Sequence, residues 1–374
     1  MNITTEKKNI CLVAGRALKN NQKTVLLNFG KLLHAKVQLH LVVGHGEDIG
    51  VLRDYYIVHR SATPIFDPYG IMSAFFAART GLREANPDVI MNVSHPFPLG
   101  VAVIACGRLR GVPVLLRMTG DPFTERKLYN SLYLRIRKKL VHELLFGRLI
   151  YSKATMIVPV GTILSNVIEK IGISSKKIYV RPQPFDVHSF SYVDHAEKMS
   201  ARKRLKLDPY KKTVLFIGSL TWGKGVDRLV NIIKLVEKNS DVYQFCVLGE
   251  GPKLHCLQAM NDSCIVLPGN VSHDKVIDYF RAADVLIHPT RRDALPNVIL
   301  EAIASGIPVI ASPVGEIPNY VTNIACSDNE FAELIVSDRL VIDVLPNDMK
   351  WEEQKNSYLK LFDKVMNTDR SKIN

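Results

Sequence analysis

The chain has 374 residues, of which 47% are hydrophobic and 23% are charged. This composition is typical of a soluble globular protein and excludes a disordered one, and the length predicts two domains of ordinary size. No uninterrupted apolar run approaches the roughly 20 residues that are needed to span a bilayer.

The positive charge is concentrated in the first half of the chain. Residues 1–190 hold 26 Lys and Arg against 12 Asp and Glu, whereas residues 191–374 hold 23 against 24. This excess predicts a surface that meets anions, such as phospholipid, a lipid-linked phosphate or nucleic acid. A solvated basic surface is the plainer alternative.

The beginning of the chain and its cysteines favour the cytoplasm. The start, MNITTEKKNICLVAG, lacks the long apolar core and the small-residue cleavage site of a signal peptide. Six cysteines show no CxxC pattern and no disulfide-framework spacing, which predicts free thiols in a reducing compartment. They are Cys11, Cys106, Cys246, Cys256, Cys264 and Cys326.

In the first half, apolar runs typical of buried strands alternate with helical stretches. In chain order the predicted elements are ICLVAG, VLLNFGKLLHAK, VQLHLVVGH, DVIMNVS, VAVIACGRLRG, VPVLLRMTGD, a long basic helix and ATMIVPVG.

Beyond residue 190 the same alternation restarts. The predicted strands are TVLFIGSL, YQFCVLGEG, CIVLPG, DVLIHPT and PVIASPVG, and the helices between them are VDRLVNIIKLVEK, KLHCLQAM, SHDKVIDYFRAA and LPNVILEAIASG. Strands that are apolar throughout and joined by helices predict parallel sheets covered on both faces. The predicted fold class is α/β, with two Rossmann-like, doubly wound domains.

The predicted domains are an N-terminal one over residues 1–190 and a C-terminal one over 191–348, with a closing helix within 349–374. The joint is expected in residues 183–212, where the periodicity lapses. Open α/β sheets bind ligands at the carboxyl ends of their strands. Two such domains facing each other therefore predict a binding cleft.

A glycine-rich turn follows the first strand of the second half. Gly218 to Lys224 fits the GxxxxGK pattern of a P-loop, but Gly225 stands where Mg²⁺ binding requires Ser or Thr. Glycines and a lysine between a strand and a helix can still hold phosphate through backbone N–H groups and the positive helix end. A glycine turn with a surface lysine is the alternative.

The segment DALPNVILEAIASG, residues 293–306, places two carboxylates beside a predicted anion site. Pro296 suits the first helical position, and Gly306 can end the helix in a left-handed cap. Asp293 precedes the helix and Glu301 lies near its middle. Carboxylates beside a diphosphate make sense when they accept hydrogen bonds from a sugar and a ribose. The pattern therefore indicates a nucleotide sugar.

Residues 213–321 resemble the donor-binding domain of glycosyltransferase family 4, the retaining glycosyl transferases of group 1, which have the GT-B fold. The matching segments are GSLTWGKGVDRLV, VLGEGP, GNVSHDKVIDYFRAADVLIHPT, DALPNVILEAIASGIPVIAS and PVGEIPNYV. NPDVIMNVSHPFPLG, GVPVLLRMTGD and KKIYVRPQPFDVHSF resemble the family more loosely. KWEEQKNSYLKLF resembles its closing helix, which packs back across the cleft.

The resemblance implies a role for each matching residue of the donor site. The first acid of the family's pair meets sugar hydroxyls and the second meets the ribose, which assigns Asp293 and Glu301. The lysine that holds the diphosphate corresponds to Lys224. Asp293 is one methylene shorter than the usual Glu, which changes the sugar hydroxyls that it can reach and thus the choice of donor sugar.

A second departure removes a cation. Where the family has an arginine after the strand glycine, this chain has Ser219. The diphosphate is then short of positive charge unless Arg117, Arg291 or Arg292 substitutes.

The resemblance also implies a wider set of donor-binding residues. Gly249 and Gly251 have an equally simple interpretation as turn residues. The set consists of Gly15, Ser219, Gly249, Gly251, Asn270, Val271, Ala294, Leu295 and Pro296.

The first domain offers candidates for the cleft. Thr119 stands where the family often has a histidine, so Asp121 becomes the nearest carboxylate of this domain, and both are catalytic candidates beside Asp293 and Lys224. His95 and Arg117 are candidates for contact with the acceptor, although a histidine at a strand end is more often structural.

Family members retain anomeric configuration, and the resemblance implies no enzyme nucleophile. We expect front-face transfer, in which Lys224 and helix N–H groups stabilise the departing nucleotide diphosphate, which helps to deprotonate the acceptor. No metal or other cofactor is expected, because the chain has neither HExxH nor a zinc-like cluster and the family needs no metal.

The basic segment 125–153 predicts attachment to a membrane surface. It interleaves apolar residues with eight Lys and Arg against two Glu, and basic residues favour the anionic cytoplasmic leaflet. An ordinary crossover helix is the alternative interpretation. The expected acceptor is a lipid-linked saccharide, and the residues expected at the membrane include Arg135, Arg137, Lys138 and Lys139.

Three other functions compete with this hypothesis. A catalytically impaired donor-binding or partner subunit would explain Ser219 and Thr119. A nucleic-acid-binding protein would explain the basic half, but stacking aromatics are not interleaved with its charges. A dehydrogenase would fit the α/β pattern, but no strand is followed by GxGxxG.

Overall fold

A computed structural model describes residues 7–15, 18, 20–62, 64, 67, 70–93, 96–120, 148–236, 241–260, 262–337 and 339–368. The chain forms two compact units. One runs to Pro184 and also contains the C-terminal segment from Trp351, and the other extends from Phe185 to Lys350.

The first unit is built on six parallel strands, which are β1 (Asn9–Gly15), β2 (Gln38–Gly44), β3 (Ile57–Ser61), β4 (Val89–Asn92), β5 (Val114–Met118) and β6 (Met156–Pro159). They pair in the order β3-β2-β1-β4-β5-β6. The helices of this stretch are α1 (Asn20–Leu33), α2 (Ile71–Glu84), α3 (Val101–Leu109) and α4 (Thr162–Lys170).

The second unit repeats this architecture with the strands β7 (Lys212–Ile217), β8 (Tyr243–Leu248), β9 (Ile265–Gly269), β10 (Val285–His288), β11 (Val309–Ala311) and β12 (Asn323–Ile324). Their order is β12-β11-β10-β7-β8-β9. The helices are α5 (His195–Arg204), α6 (Val226–Val236), α7 (Leu254–Gln258), α8 (His273–Ala282), α9 (Asn297–Ala304) and α10 (Asp328–Val336), and α11 (Trp351–Met366) closes the described chain.

The predicted α/β class with two doubly wound sheets is confirmed by this topology. The helices pack as amphipathic crossover elements. In α6, for example, the buried residues recur at helical spacing and face the core of the second unit. They are Val226, Leu229, Ile232, Ile233 and Val236.

Two segments of the first unit escaped the sequence patterns. Strand β3 lies at the edge of the sheet and mixes Ile57 and Val58 with His59, Arg60 and Ser61, so it lacks the apolar run of a central strand. Helix α2 buries small residues and exposes large apolar ones, which reverses the usual amphipathic pattern.

The boundary between the units lies earlier than the predicted one at residue 190. Phe190 stacks on Phe185, with ring centroids 5.8 Å apart, and meets Phe280 of α8 edge-on at 5.5 Å. These aromatic contacts hold residues 185–190 in the second unit. At the other end, Tyr358 and Phe362 of α11 are buried in the core of the first unit.

Each sheet reverses its strand order at one point. In the second unit this point lies between β7 and β10, whose neighbours along the sheet run in opposite directions through the sequence. Loops at the carboxyl ends of such strands diverge and leave a crevice for a ligand. Among the described helices, none combines the length and the apolar character needed to cross a membrane.

Candidate functional site

The loops after β7 and β10 are joined to each other where the strand order reverses. The carbonyl of Gly223 accepts hydrogen bonds from the backbone N–H of Arg291 at 3.0 Å and from the hydroxyl of Thr290 at 3.1 Å. Gly225 has φ +75°, and a Cβ there would lie 2.0 Å from the carbonyl oxygen of Pro289. Gly225, which stands where a P-loop has Ser or Thr, is therefore required for the two loops to contact each other.

This contact brings Lys224 and Asp293 together. The ammonium of Lys224 forms an ion pair with Oδ2 of Asp293, and the side chains are 26% and 17% exposed. The same carboxylate oxygen lies 3.2 Å from Nε2 of His288, the last residue of β10. Two residues that the sequence predicted for the site are thus in direct contact, and a third group orients one of them.

The environment keeps Asp293 ionised. Burial alone would raise the pKa of this carboxyl, but the hydrogen bond from His288 and the positive charge of Lys224 lower it to about 2. Burial lowers the pKa of His288 below its usual range. The neutral imidazole donates through Nε2, and its buried Nδ1 has no hydrogen-bond partner among the described residues.

Glu301 lies in a very different environment. It is 6% exposed on α9, a helix in which every residue from Val298 to Ile303 is buried. No described residue hydrogen-bonds to its carboxyl group, and burial raises its pKa to about 8. The two acids of the predicted pair therefore differ in charge at neutral pH.

The ends of α9 largely follow the sequence prediction. Gly306 adopts the predicted left-handed conformation, with φ +70°, just after the helix. Pro296 is the residue before the first helical one and not the first helical residue as predicted, because its ψ of 131° is extended. Pro296 makes no side-chain capping bond at this helix start, and the N-terminus of a helix attracts anions.

The glycines after β8 allow close packing between loops. Gly249 has φ +127°, and a Cβ there would lie 2.0 Å from the carbonyl oxygen of Gly218. A Cβ at Gly251 would lie 2.5 Å from the carbonyl oxygen of Leu220. Close packing of the loops thus explains why glycine is needed at both positions, without a bound nucleoside. Asn270 and Val271 begin the next loop, after β9, and Asn270 is exposed.

The candidate replacements for the missing arginine are placed differently from one another. Ser219 is exposed at the end of β7. The guanidinium of Arg291 makes two hydrogen bonds to Asp227, at 2.6 and 2.7 Å, and lies 4.7 Å from the ring centroid of Trp222. Its charge is therefore already paired. Arg292 is exposed and has a partner of its own.

Arg117, a predicted candidate for contact with the diphosphate or with an acceptor, is buried in the first unit. It is 1% exposed in the core of the first unit, with its guanidinium 4.9 Å from the ring centroid of Phe29. Its three side-chain nitrogens have no hydrogen-bond partner among the described residues, and burial lowers its pKa. Its location on the central strand β5 explains the burial.

The other predicted residues of the first unit lie at strand ends. Gly15 ends β1 with φ +87°, and Thr119 follows β5 and is half-buried. The remaining candidates lie outside the described residues, and their predictions remain open. They are His95, Asp121, Arg135, Arg137, Lys138 and Lys139.

Sequence reasoning missed His288. In DVLIHPT it looks like the polar end of a strand, and nothing in the pattern links it to a carboxylate five residues later. The described residues contain no group of three or more His, Cys, Asp or Glu side chains arranged to hold a metal ion.

Comparison with known proteins shows the family of this chain. Residues 22–189 match the family described as Glycosyltransferase Family 4, and residues 211–337 match Glycosyl transferases group 1. The chain belongs to glycosyltransferase family 4. Lys224, Asp293 and Glu301 lie within the second matched range.

A solved structure shows the same fold as this family 4 chain. HepE from Anabaena, crystallised in complex with UDP and glucose, aligns with a TM-score of 0.68 over 98% of this chain and 97% of its own, at 15% identity. The fold is GT-B, with two Rossmann-like domains.

Two curated relatives have more similar sequences. The GDP-mannose-dependent alpha-mannosyltransferase of Corynebacterium glutamicum is 27% identical over 76% of this chain and 67% of its own length. The gpi3 subunit of phosphatidylinositol N-acetylglucosaminyltransferase from Schizosaccharomyces pombe is 27% identical over 37% of this chain. That match spans 32% of the yeast protein.

The raised pKa of Glu301 predicts a dependence of stability on pH. The folded protein holds a proton that the unfolded chain releases above its usual pKa of 4.5, so Glu301 destabilises the fold increasingly as pH rises towards 8. Glu301→Gln removes this penalty. The free energy of unfolding of the variant relative to wild type should increase between pH 5 and pH 8, by at most about 1.4 kcal/mol per pH unit.

Urea denaturation at the two pH values measures this difference. The matched control is Glu333→Gln, at an exposed position of α10. Its effect on the free energy of unfolding should be the same at pH 5 and at pH 8. An equal shift for Glu301→Gln would show that this carboxyl is ionised in the folded protein.

Proposed function

We propose that this family 4 chain is a retaining glycosyltransferase that uses a nucleotide-diphosphate sugar. Its acceptor is a saccharide or a lipid-linked saccharide, in the assembly of cell-surface polysaccharide or glycolipid. The observation that carries the proposal is the contact between Lys224 and Asp293 at the strand ends of the second unit. Glu301, on the helix that follows, completes the donor-binding set.

Donor binding replaces contacts that exist in the free protein. The diphosphate attracts Lys224 and the N–H groups at the start of α6, the helix that follows this lysine. The ion pair between Lys224 and Asp293 then weakens, and Asp293 accepts a hydrogen bond from a hydroxyl of the sugar. His288 stays in place and holds the carboxylate in the required orientation.

The neutral state of Glu301 removes an apparent conflict. An ionised carboxylate near a diphosphate would repel it, but burial favours the uncharged acid at neutral pH. In that form Glu301 can both donate to a ribose oxygen and accept from a ribose hydroxyl. A polar ligand also supplies the hydrogen bonds that this buried group lacks among the described residues.

The transfer step then needs no enzyme nucleophile. The acceptor hydroxyl oxygen attacks the anomeric carbon on the face from which the nucleotide diphosphate departs. The bond from that carbon to the phosphate oxygen breaks, and the leaving phosphate takes the hydroxyl proton. Lys224 and helix N–H groups stabilise the negative charge that develops on the leaving group. No metal or other cofactor takes part in this proposal.

Relatives indicate the range of donors and acceptors. The mannosyltransferase of Corynebacterium glutamicum uses GDP-mannose, and HepE was crystallised with UDP and glucose. The yeast gpi3 subunit belongs to an enzyme that acts on phosphatidylinositol. These names support a sugar nucleotide as donor and a lipid-borne acceptor. The basic first half supports a peripheral location at the cytoplasmic face of a membrane.

A donor-binding subunit without transfer activity is the second candidate, favoured by Ser219. This position is exposed and uncharged, and Arg291, which could replace the missing cation, is paired with Asp227. Hydrolysis of a panel of nucleotide sugars, with and without lipid-linked acceptors, separates the two candidates. Binding without any hydrolysis or transfer would favour the inactive subunit.

Lys224→Ala should weaken nucleoside diphosphate binding by about 1.5 to 3 kcal/mol, because it removes a charge-assisted hydrogen bond. Glu301→Ala should weaken it severely, because it removes the partner of the ribose. Calorimetric titration with UDP and GDP measures both effects. Lys234→Ala, at an exposed position of α6, is the matched control, and wild-type affinity in both site variants would refute the assignment.

Asp293→Ala should mainly reduce the rate of transfer, because its partner hydroxyl lies on the sugar that is transferred. Nucleoside diphosphate affinity should change little by comparison. The measurement pairs turnover of a nucleotide sugar with calorimetric binding of the diphosphate alone. Loss of UDP or GDP binding with turnover preserved would reverse the roles of Asp293 and Glu301.

Reversing Arg137, Lys138 and Lys139 to Glu should release the protein from anionic liposomes while nucleotide binding is preserved. Each basic residue near an anionic surface contributes about 1 kcal/mol. Flotation with liposomes at low salt measures the release. Wild-type protein that ignores anionic liposomes under these conditions would point instead to a soluble acceptor.

A further inference from the structure

Helix α2 packs with its small side chains inward. Its buried residues are Ser73, Ala74, Ala77, Ala78, Gly81 and Leu82. A Cβ at Gly81 would lie 2.8 Å from Sγ of Cys11 on β1. The helix therefore lies close against the sheet, and this face has no room for large residues.

The large apolar residues of α2 face the solvent. Ile71 is 40% exposed, Met72 51%, Phe75 40% and Phe76 41%. They occupy two successive turns at the spacing that places residues on one side of a helix. Such a cluster on a soluble surface marks an interaction site rather than a folding requirement.

Basic residues continue the same face. Arg79 and Arg83 are exposed on the next two turns. Together with Phe76 and Glu84 they line a cavity of about 240 Å³. Glu84 is the acid of this face, and its carboxylate lies 3.0 Å from Nδ1 of His59. The neighbouring helix α3 ends with Leu109, 85% exposed, between Arg108 and Arg110.

We propose that the solvent face of α2 docks onto an anionic lipid bilayer. We call it the α2 face and define it as Ile71, Met72, Phe75, Phe76, Arg79 and Arg83. The apolar turns enter the boundary between headgroups and acyl chains, and the arginines bind lipid phosphates. The positive charge of Arg79 and Arg83 favours an anionic bilayer over a second copy of this chain, because two copies would bring the same arginines together.

The α2 face is separate in sequence from the basic segment that contains Arg137, Lys138 and Lys139. Both surfaces are proposed to bind an anionic membrane. The basic segment contributes an electrostatic contact, and the α2 face adds an apolar one. Salt screens exposed charges and leaves apolar burial intact. The two contributions can therefore be measured separately.

The test is flotation with vesicles of phosphatidylglycerol and phosphatidylcholine, and with phosphatidylcholine alone, at low and high salt. Replacing Phe75→Ser and Phe76→Ser together should reduce partitioning onto anionic vesicles by about tenfold for each phenylalanine. It should also abolish the binding that remains at high salt. Arg79→Glu with Arg83→Glu should weaken binding at low salt by about fivefold for each arginine.

Ile342→Ser with Val344→Ser is the matched control, because it removes two exposed apolar residues of the second unit. This variant should float like wild type. Calorimetric binding of UDP or GDP by every variant checks that the fold is intact. It also separates failure of this proposal from failure of the proposed transferase function.

Three results would overturn the proposal. One is unchanged partitioning of the phenylalanine variant at both salt concentrations. Another is wild-type protein that binds phosphatidylcholine as well as it binds the anionic vesicles, or binds neither. The third is a concentration-dependent dimer in light scattering that the phenylalanine substitutions dissociate, which would assign the α2 face to self-association.

Discussion

The ion pair between Lys224 and Asp293 is the interaction on which the site depends. It joins the loops after β7 and β10, which are neighbours only because the strand order reverses between these strands. Gly225 allows the loops to touch, and His288 holds the carboxylate from the strand end. The opposite charges offset part of the cost of removing each group from water, and a bound ligand can offer each partner a replacement.

The two acids of the pair use burial in opposite ways. Asp293 is surrounded by donors, so it remains a carboxylate and has a pKa of about 2. Glu301 is buried on a helix whose neighbouring residues are also buried, and burial favours the neutral acid. Only seven residues separate them in the sequence, and the difference in charge arises from packing. A site for a nucleotide sugar benefits from this difference, because the diphosphate meets one negative carboxylate instead of two.

Helix α2 shows how a reliable rule fails. Amphipathic periodicity assumes that the large apolar side chains of a helix face the core. In α2 the core face consists of Ser, Ala and Gly, and the large residues face outward. The helical spacing is present in the sequence, but the large apolar residues lie on the outward side of the helix. The apolar pattern therefore does not predict which side packs on the sheet. Close approach to β1 explains the small residues, and the proposed docking onto a bilayer accounts for the large ones.

The α/β class and the two doubly wound sheets follow from the sequence alone, because apolar strand runs and glycine turns are local signals. The resemblance of its motifs indicated the family, and it predicted that Lys224, Asp293 and Glu301 belong to one donor site. The contact between Lys224 and Asp293, its support by His288 and the burial of Arg117 became visible only in the folded chain. These properties depend on which strands become neighbours and on how much water reaches each group, and residues far apart in the chain determine both.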